Sequence, residues 1–204
     1  MIRVLAVDVS RLEQDQYEAF YRLATPERKL RANRFRRQED ASRCIVADAL
    51  LRYALGTQAY QVETAPGGKP RILGHSDFHF NLSHAGNWVV LAWGQTPVGV
   101  DVERHDRTTG YEAIAKRFFS PEEQRKLAES QDPSHKFYEI WTGKESYLKY
   151  LGTGLQYDLG SFSVYSLELP VHLHRPVLSQ GYSLCLCTRE EDYLLELLPV
   201  ERLS

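Results

Sequence analysis

The chain has 204 residues, 43% of them hydrophobic, enough for one large domain or two small lobes with adequate cores. Its formal net charge of −2 gives no overall cationic field of the kind that favours nucleic acid. No apolar run approaches the length of a bilayer span, and three cysteines, Cys44, Cys185 and Cys187, form no CxxC and cannot pair completely.

In chain order, Ile2–Val9 reads as a strand, and this N-terminus lacks the basic start, apolar stretch and cleavage site of a signal peptide. The expectation is therefore a reduced, cytoplasmic protein. Thr25-Pro26-Glu27 marks a helix start, with a capping hydroxyl, proline at the first helical position and an acid in the first turn. The one basic cluster, Arg22 to Arg37, follows from there and includes Arg28 and Arg31, three apart on one helix face. A helix is expected over Glu39–Leu55, stopped by Gly56, then a turn at Pro66-Gly67-Gly68-Lys69-Pro70. Phe78–Leu82, Trp88–Trp93 and Val98–Glu103 read as strands. Ser120-Pro121-Glu122-Glu123 opens a second helical stretch with a capping box, closed by Leu148-Lys149-Tyr150-Leu151-Gly152, an echo of Leu51-Arg52-Tyr53-Ala54-Leu55-Gly56. Strands are expected again at Ser161–Leu167 and Tyr182–Thr188. The repeated order predicts an α+β protein of two similar lobes, 1–100 and 101–204, packed together without a linker.

Three clusters carry chemistry. In Val98-Gly99-Val100-Asp101-Val102-Glu103 strict alternation puts the valines on one face and Gly99, Asp101 and Glu103 on the other. Two carboxylates two residues apart suit a hard cation such as Mg²⁺, although an ordinary half-exposed strand with solvated acids shows the same pattern. In Trp141-Thr142-Gly143-Lys144-Glu145-Ser146-Tyr147-Leu148-Lys149, helical spacing aligns Trp141, Glu145 and Lys149; an exposed Glu–Lys pair beside a core tryptophan is the plainer alternative. Phe80-Asn81-Leu82-Ser83-His84-Ala85-Gly86 reads as a strand end running into a small-residue loop that could hold phosphate, or as a simple polar turn. His172 with His174 lacks a third ligand and reads as surface, and Cys185 with Cys187 reads as core. Three acids, a helical lysine, a histidine and nearby arginines together fit displacement at a phosphoryl centre, with the attacking hydroxyl left open.

These motifs, together with Gly68-Lys69-Pro70, Phe118-Phe119-Ser120, Gly152-Thr153-Gly154-Leu155 and Ser161-Phe162-Ser163-Val164, resemble the 4′-phosphopantetheinyl transferases. The likeness is to their larger, single-chain, two-lobed type, which activates peptide and polyketide synthetases. The resemblance implies a pseudo-two-fold α+β fold with coenzyme A and Mg²⁺, or Mn²⁺ in its place, in the cleft between lobes. It implies transfer of the phosphopantetheine arm to a serine of an apo acyl- or peptidyl-carrier protein, by a monomer that engages neither nucleic acid nor membrane. By match, Asp101, Glu103 and Glu145 would hold the metal, Glu145 would act as base, and Lys149 would assist the leaving group. Coenzyme A would be bordered by Arg28, Arg31, Arg43, Lys69, Pro70, Ser83 and His84, and met also by Asp101, Lys144 and Lys149. Two competing readings are a metal-dependent phosphodiesterase or nuclease and a catalytically silent module that binds coenzyme A or a carrier protein.

Overall fold

The computed structural model describes residues 1–64, 68–106, 110–152, 158–168 and 170–203. It is an α+β fold built on two sheets packed face to face. The first sheet has the order β4-β5-β1-β9, formed by His79–Ala85, Trp88–Gly94, Ile2–Asp8 and Tyr193–Leu197. Its pairs are antiparallel except β1 with β9, which run parallel. The second has the order β6-β8-β7, from Val98–Arg104, Tyr182–Thr188 and His172–His174, all antiparallel. A separate two-stranded ribbon joins β2 (Val62–Thr64) and β3 (Pro70–Ile72).

Three helices, α1 (Gln14–Leu23), α2 (Pro26–Ala32) and α3 (Gln38–Leu55), cover the outer face of the first sheet. There Ile45, Leu50 and Leu51 meet Leu5, Val7, Val89 and Leu91. The opposite face presents Ile2, Val4, Ala6, Val90 and Ala92 to Val98, Val100, Val102, Leu184 and Leu186 of the second sheet. Beyond that second sheet lie α4 (Tyr111–Phe118), α5 (Pro121–Ala128) and α6 (Pro133–Leu151).

Local chemistry sets the helix ends as the sequence suggests. Thr25 Oγ1 accepts from the Arg28 amide at 3.3 Å, and the Ser120–Glu123 capping box is present in both directions. Both α3 and α6 stop at a left-handed glycine, Gly56 with φ +64° and Gly152 with φ +72°.

Four expectations change. The strand placed at Phe78–Leu82 runs on to Ala85 as β4, so Ser83 and His84 lie in the ladder and the turn falls at Gly86, where φ is +53°. Ser161–Leu167 forms no strand: its backbone turns locally after Asp158, and the Val164 amide donates to Glu123 Oε1 at 2.9 Å rather than to a neighbouring strand. A boundary at residue 100 would cut β6. Finally, Tyr193–Leu203 does not stay with the second lobe: β9 pairs with β1, and Leu198, Val200 and Leu203 enter the core under α3. Part of the expected Pro66–Pro70 turn and of the Gly152–Leu155 motif lies outside the described residues.

One close approach sets the spacing of helix and strand in the second half. α6 lies directly against β6 at Gly99, where an added Cβ would collide with the Ser146 carbonyl oxygen and the Tyr150 amide nitrogen. Both obstacles are backbone and cannot swing aside. Gly99→Ala should therefore destabilise the protein by about 1–3 kcal/mol or more, seen as a lowered midpoint of urea unfolding; an unchanged midpoint would contradict the packing.

Candidate active site

Alternation in β6 works as expected: Val98, Val100 and Val102 enter the inter-sheet core, while Gly99, Asp101 and Glu103 face α6. On α6, residues 145 and 149 are one turn apart and point back at that strand. Lys149 Nζ donates to Asp101 Oδ1 at 2.6 Å and to Ser83 Oγ at 3.2 Å. Ser83 Oγ in turn donates to Asp101 Oδ1 at 2.9 Å. The other oxygen, Asp101 Oδ2, is buried without a hydrogen-bond partner. The site thus sits where β4 of the first half meets β6 and α6 of the second.

All three carboxyl groups are pushed toward their neutral forms. Asp101 is raised by burial, against the opposing effect of Lys149 and Ser83. Glu103 is pushed up to about 7 by burial and by Asp101, with Lys149 and a hydrogen bond from Trp141 working the other way. Glu145 is raised by burial and by Asp101. Desolvated acids raising one another are the arrangement a cation relieves. The donor chemistry fits a hard divalent ion: carboxylate oxygens only, one of them buried and unpartnered. As arranged, the three do not yet converge on one point, since among the described residues no group of three His, Cys, Asp or Glu is drawn close enough to hold a metal.

A cationic rim borders the acids. His84 is exposed and held below its ordinary value by partial desolvation and then by the charges of Arg43 and Arg31, with Lys149 adding to them. Arg43 binds Asp40 and donates to the Gly86 carbonyl at 2.6 Å, which ties α3 to the β4–β5 turn. Arg28 acts elsewhere, on Tyr60.

One lysine differs from the sequence expectation. Lys144 does not reach the cleft. Its ammonium is fully buried, 2.8 Å from Glu123 and 2.7 Å from both the Leu159 and Phe162 carbonyls. It neighbours Glu145 in sequence but leaves the helix on a different side, toward α5. The Lys69 amine is also engaged, with the Val98 carbonyl at 2.7 Å and the Tyr150 carbonyl at 3.3 Å, and burial lowers it to about 8. Pro70 is exposed in β3. Sequence reasoning misses Asn81 and the second use of Glu123. A polar residue between Phe80 and Leu82 in an otherwise apolar strand is the available signal for the first.

Comparisons with known proteins agree with this organisation. Residues 97–197 match the model of the 4′-phosphopantetheinyl transferase superfamily. Residues 11–96 match that described as 4′-phosphopantetheinyl transferase, N-terminal, so the two meet in the loop between β5 and β6. The chain is 35% identical to 4′-phosphopantetheinyl transferase Sfp of Bacillus subtilis, over 89% of each chain. It is 34% identical to 4′-phosphopantetheinyl transferase psf-1 of Bacillus pumilus, over 93% of this chain and 91% of the relative. With 4′-phosphopantetheinyl transferase gsp of Aneurinibacillus migulanus the identity is 33%, over 74% and 70%. The chain belongs to the 4′-phosphopantetheinyl transferase superfamily.

Two outcomes test the electrostatics. Glu103 holds a proton in the folded state that the unfolded chain gives up near 4.5, so the associated stability is full below about 4.5 and lost as pH rises through about 7. The thermal midpoint of the metal-free protein should fall over that interval, and Glu103→Gln should flatten the fall; an equal slope in both proteins would refute the assignment. Lys144→Met strands the buried Glu123 charge, so it should cost roughly 3–5 kcal/mol in urea unfolding. Coenzyme A affinity of the folded variant should be unchanged, whereas a ligand-contacting lysine would show a loss.

Proposed function

We propose that this protein transfers the 4′-phosphopantetheine group of coenzyme A to a serine hydroxyl of an apo acyl- or peptidyl-carrier protein, releasing 3′,5′-adenosine bisphosphate, with Mg²⁺ as its metal. Family membership supports the reaction class. The observation that carries the site assignment is the Lys149–Asp101–Ser83 cluster with an unpartnered Asp101 Oδ2, flanked by two carboxylates whose proton affinity is raised.

Asp101, Glu103 and Glu145 would hold the ion, which supplies charge neutralisation and alignment at the pyrophosphate. The remaining steps belong to the chain. Arg31 and Arg43 form the cationic rim that receives the nucleotide phosphates, with the His84 ring beside them as a hydrogen-bonding partner, and Arg28, Lys69 and Pro70 border the coenzyme A site further out. The carrier serine is a weak nucleophile until it loses its proton. Glu145 takes that proton as the serine oxygen bonds to the phosphorus beside the pantetheine arm. The phosphorus–oxygen bond to the adenosine bisphosphate breaks, and Lys149 meets the charge left on the departing oxygen. The three cysteines are buried and unpaired, as a reducing compartment would keep them; among the described residues no helix is long and apolar enough to cross a membrane.

Incubated with apo-carrier protein, coenzyme A and Mg²⁺, the protein should add one phosphopantetheine to the carrier, seen by intact mass. Chelation should stop the reaction. Glu145→Gln should cut turnover by about 10²–10⁴-fold, the usual contribution of a general base, with far less effect on coenzyme A affinity. Carrier-independent hydrolysis of coenzyme A with no mass gain would transfer the assignment to a phosphodiesterase.

A further inference from the structure

Strand β6 carries Asp101 and Glu103 yet lies at the edge of its sheet, with β8 as its neighbour on one side. An edge strand presents alternate N–H and C=O groups outward, and buried ones need partners. Along β6 these belong to Val98, Val100 and Val102, and the partners are side chains from the first half of the protein. The Val98 carbonyl accepts from Lys69 Nζ at 2.7 Å. The Val100 amide donates to Asn81 Oδ1 at 2.8 Å, and the Val102 amide to Ser83 Oγ at 3.2 Å. Asn81 and Ser83 are both buried, and they alternate along β4 at the two-residue spacing of the amides they cap.

These two amides flank Asp101. The Ser83 hydroxyl accepts from Val102 and from Lys149 and donates to Asp101 Oδ1, which uses its one proton and both lone pairs. In this arrangement the hydroxyl is fully engaged within the protein, and it turns Oδ1 inward so that Oδ2 is the oxygen without a partner.

We propose that Asn81 and Ser83 are positioning residues: they grip the free edge of β6 on either side of Asp101 and select which of its carboxylate oxygens is offered to the metal. This rests on the reading of Asp101 as a metal ligand. A backbone strand in the same place would close the edge of β6 but could not also donate to a side chain of that strand. Asn81 and Ser83 both hold the edge, and Ser83 also donates to Asp101, so the pair joins the fit of the two halves to the geometry of the site.

The test uses the full chain, with Asn81→Ala and Ser83→Ala compared to the parent protein by three readouts. Amide exchange should accelerate at Val100 in the first variant and at Val102 in the second. Mn²⁺ affinity, followed by electron paramagnetic resonance, should weaken by about 10- to 100-fold, the usual effect of losing an outer partner of a metal ligand. Coenzyme A affinity of the Asn81→Ala protein, measured by calorimetry with chelator present, should be unchanged. Asn81→Asp keeps an acceptor oxygen and should restore slow exchange at Val100; Ser83→Ala decides the question if Asn81→Ala does not fold. Parent-like Mn²⁺ affinity in a folded Asn81→Ala or Ser83→Ala variant would overturn the proposal. So would an Asn81→Ala protein that loses coenzyme A affinity under chelation, because Asn81 would then serve the nucleotide site rather than the strand. A parent protein that binds no Mn²⁺ would instead refute the metal assignment, while the exchange rates at Val100 and Val102 would still decide whether the side chains hold the strand.

Discussion

Everything at the site depends on how closely a helix can lie against a strand. Gly99 offers no side chain to α6, so the helix backbone at Ser146 and Tyr150 occupies the space a Cβ would take. Only at that separation can a lysine on the helix reach an aspartate on the strand at 2.6 Å while both sit largely out of water. The glycine thus acts through distance rather than through flexibility: its backbone is ordinary extended strand, with no positive φ.

The same helix handles two ammonium groups in opposite ways. Lys144 is buried and fully neutralised, with a carboxylate and two carbonyls around it, and it fixes α6 to α5 and to the segment ending at Phe162. Lys149, five residues on, keeps contact with the cleft and pairs with an acid that itself retains an unpartnered oxygen. A fully satisfied buried pair favours rigidity. A partly satisfied one leaves capacity for a ligand. Side by side on one helix, the first gives the second a fixed frame.

Much of this is legible in the sequence where local rules dominate. Alternation in Val98–Glu103 assigns each face of β6 correctly, and the Thr25, Ser120, Gly56 and Gly152 signals place helix ends within a residue or so. The spacing of Glu145 and Lys149 puts them on one face. Misreadings arise where a residue's partner is distant in sequence. Nothing near Lys144 announces that Glu123 will neutralise it. Ser83 resembles a loop hydroxyl because the small residues after it suggest a turn too early, and Asn81 is easily passed over because its partner is a backbone amide 19 residues away. Ser161–Leu167 has strand composition, but Glu123 claims the amide that a sheet would have needed.

The return of β9 to the side of β1 has a consequence for synthesis. Leu198, Val200 and Leu203 complete the core beneath α3, and β9 closes the first sheet on the far side of the first strand. While the ribosome is still making the second half, the emerging first half therefore has an open sheet edge and an unfilled core. Contacts between residues nearly two hundred positions apart are slow to form, and open edges attract other chains in the meantime. The nascent protein is most exposed to misassociation until Tyr193–Leu203 arrives to pair with β1 and fill the core.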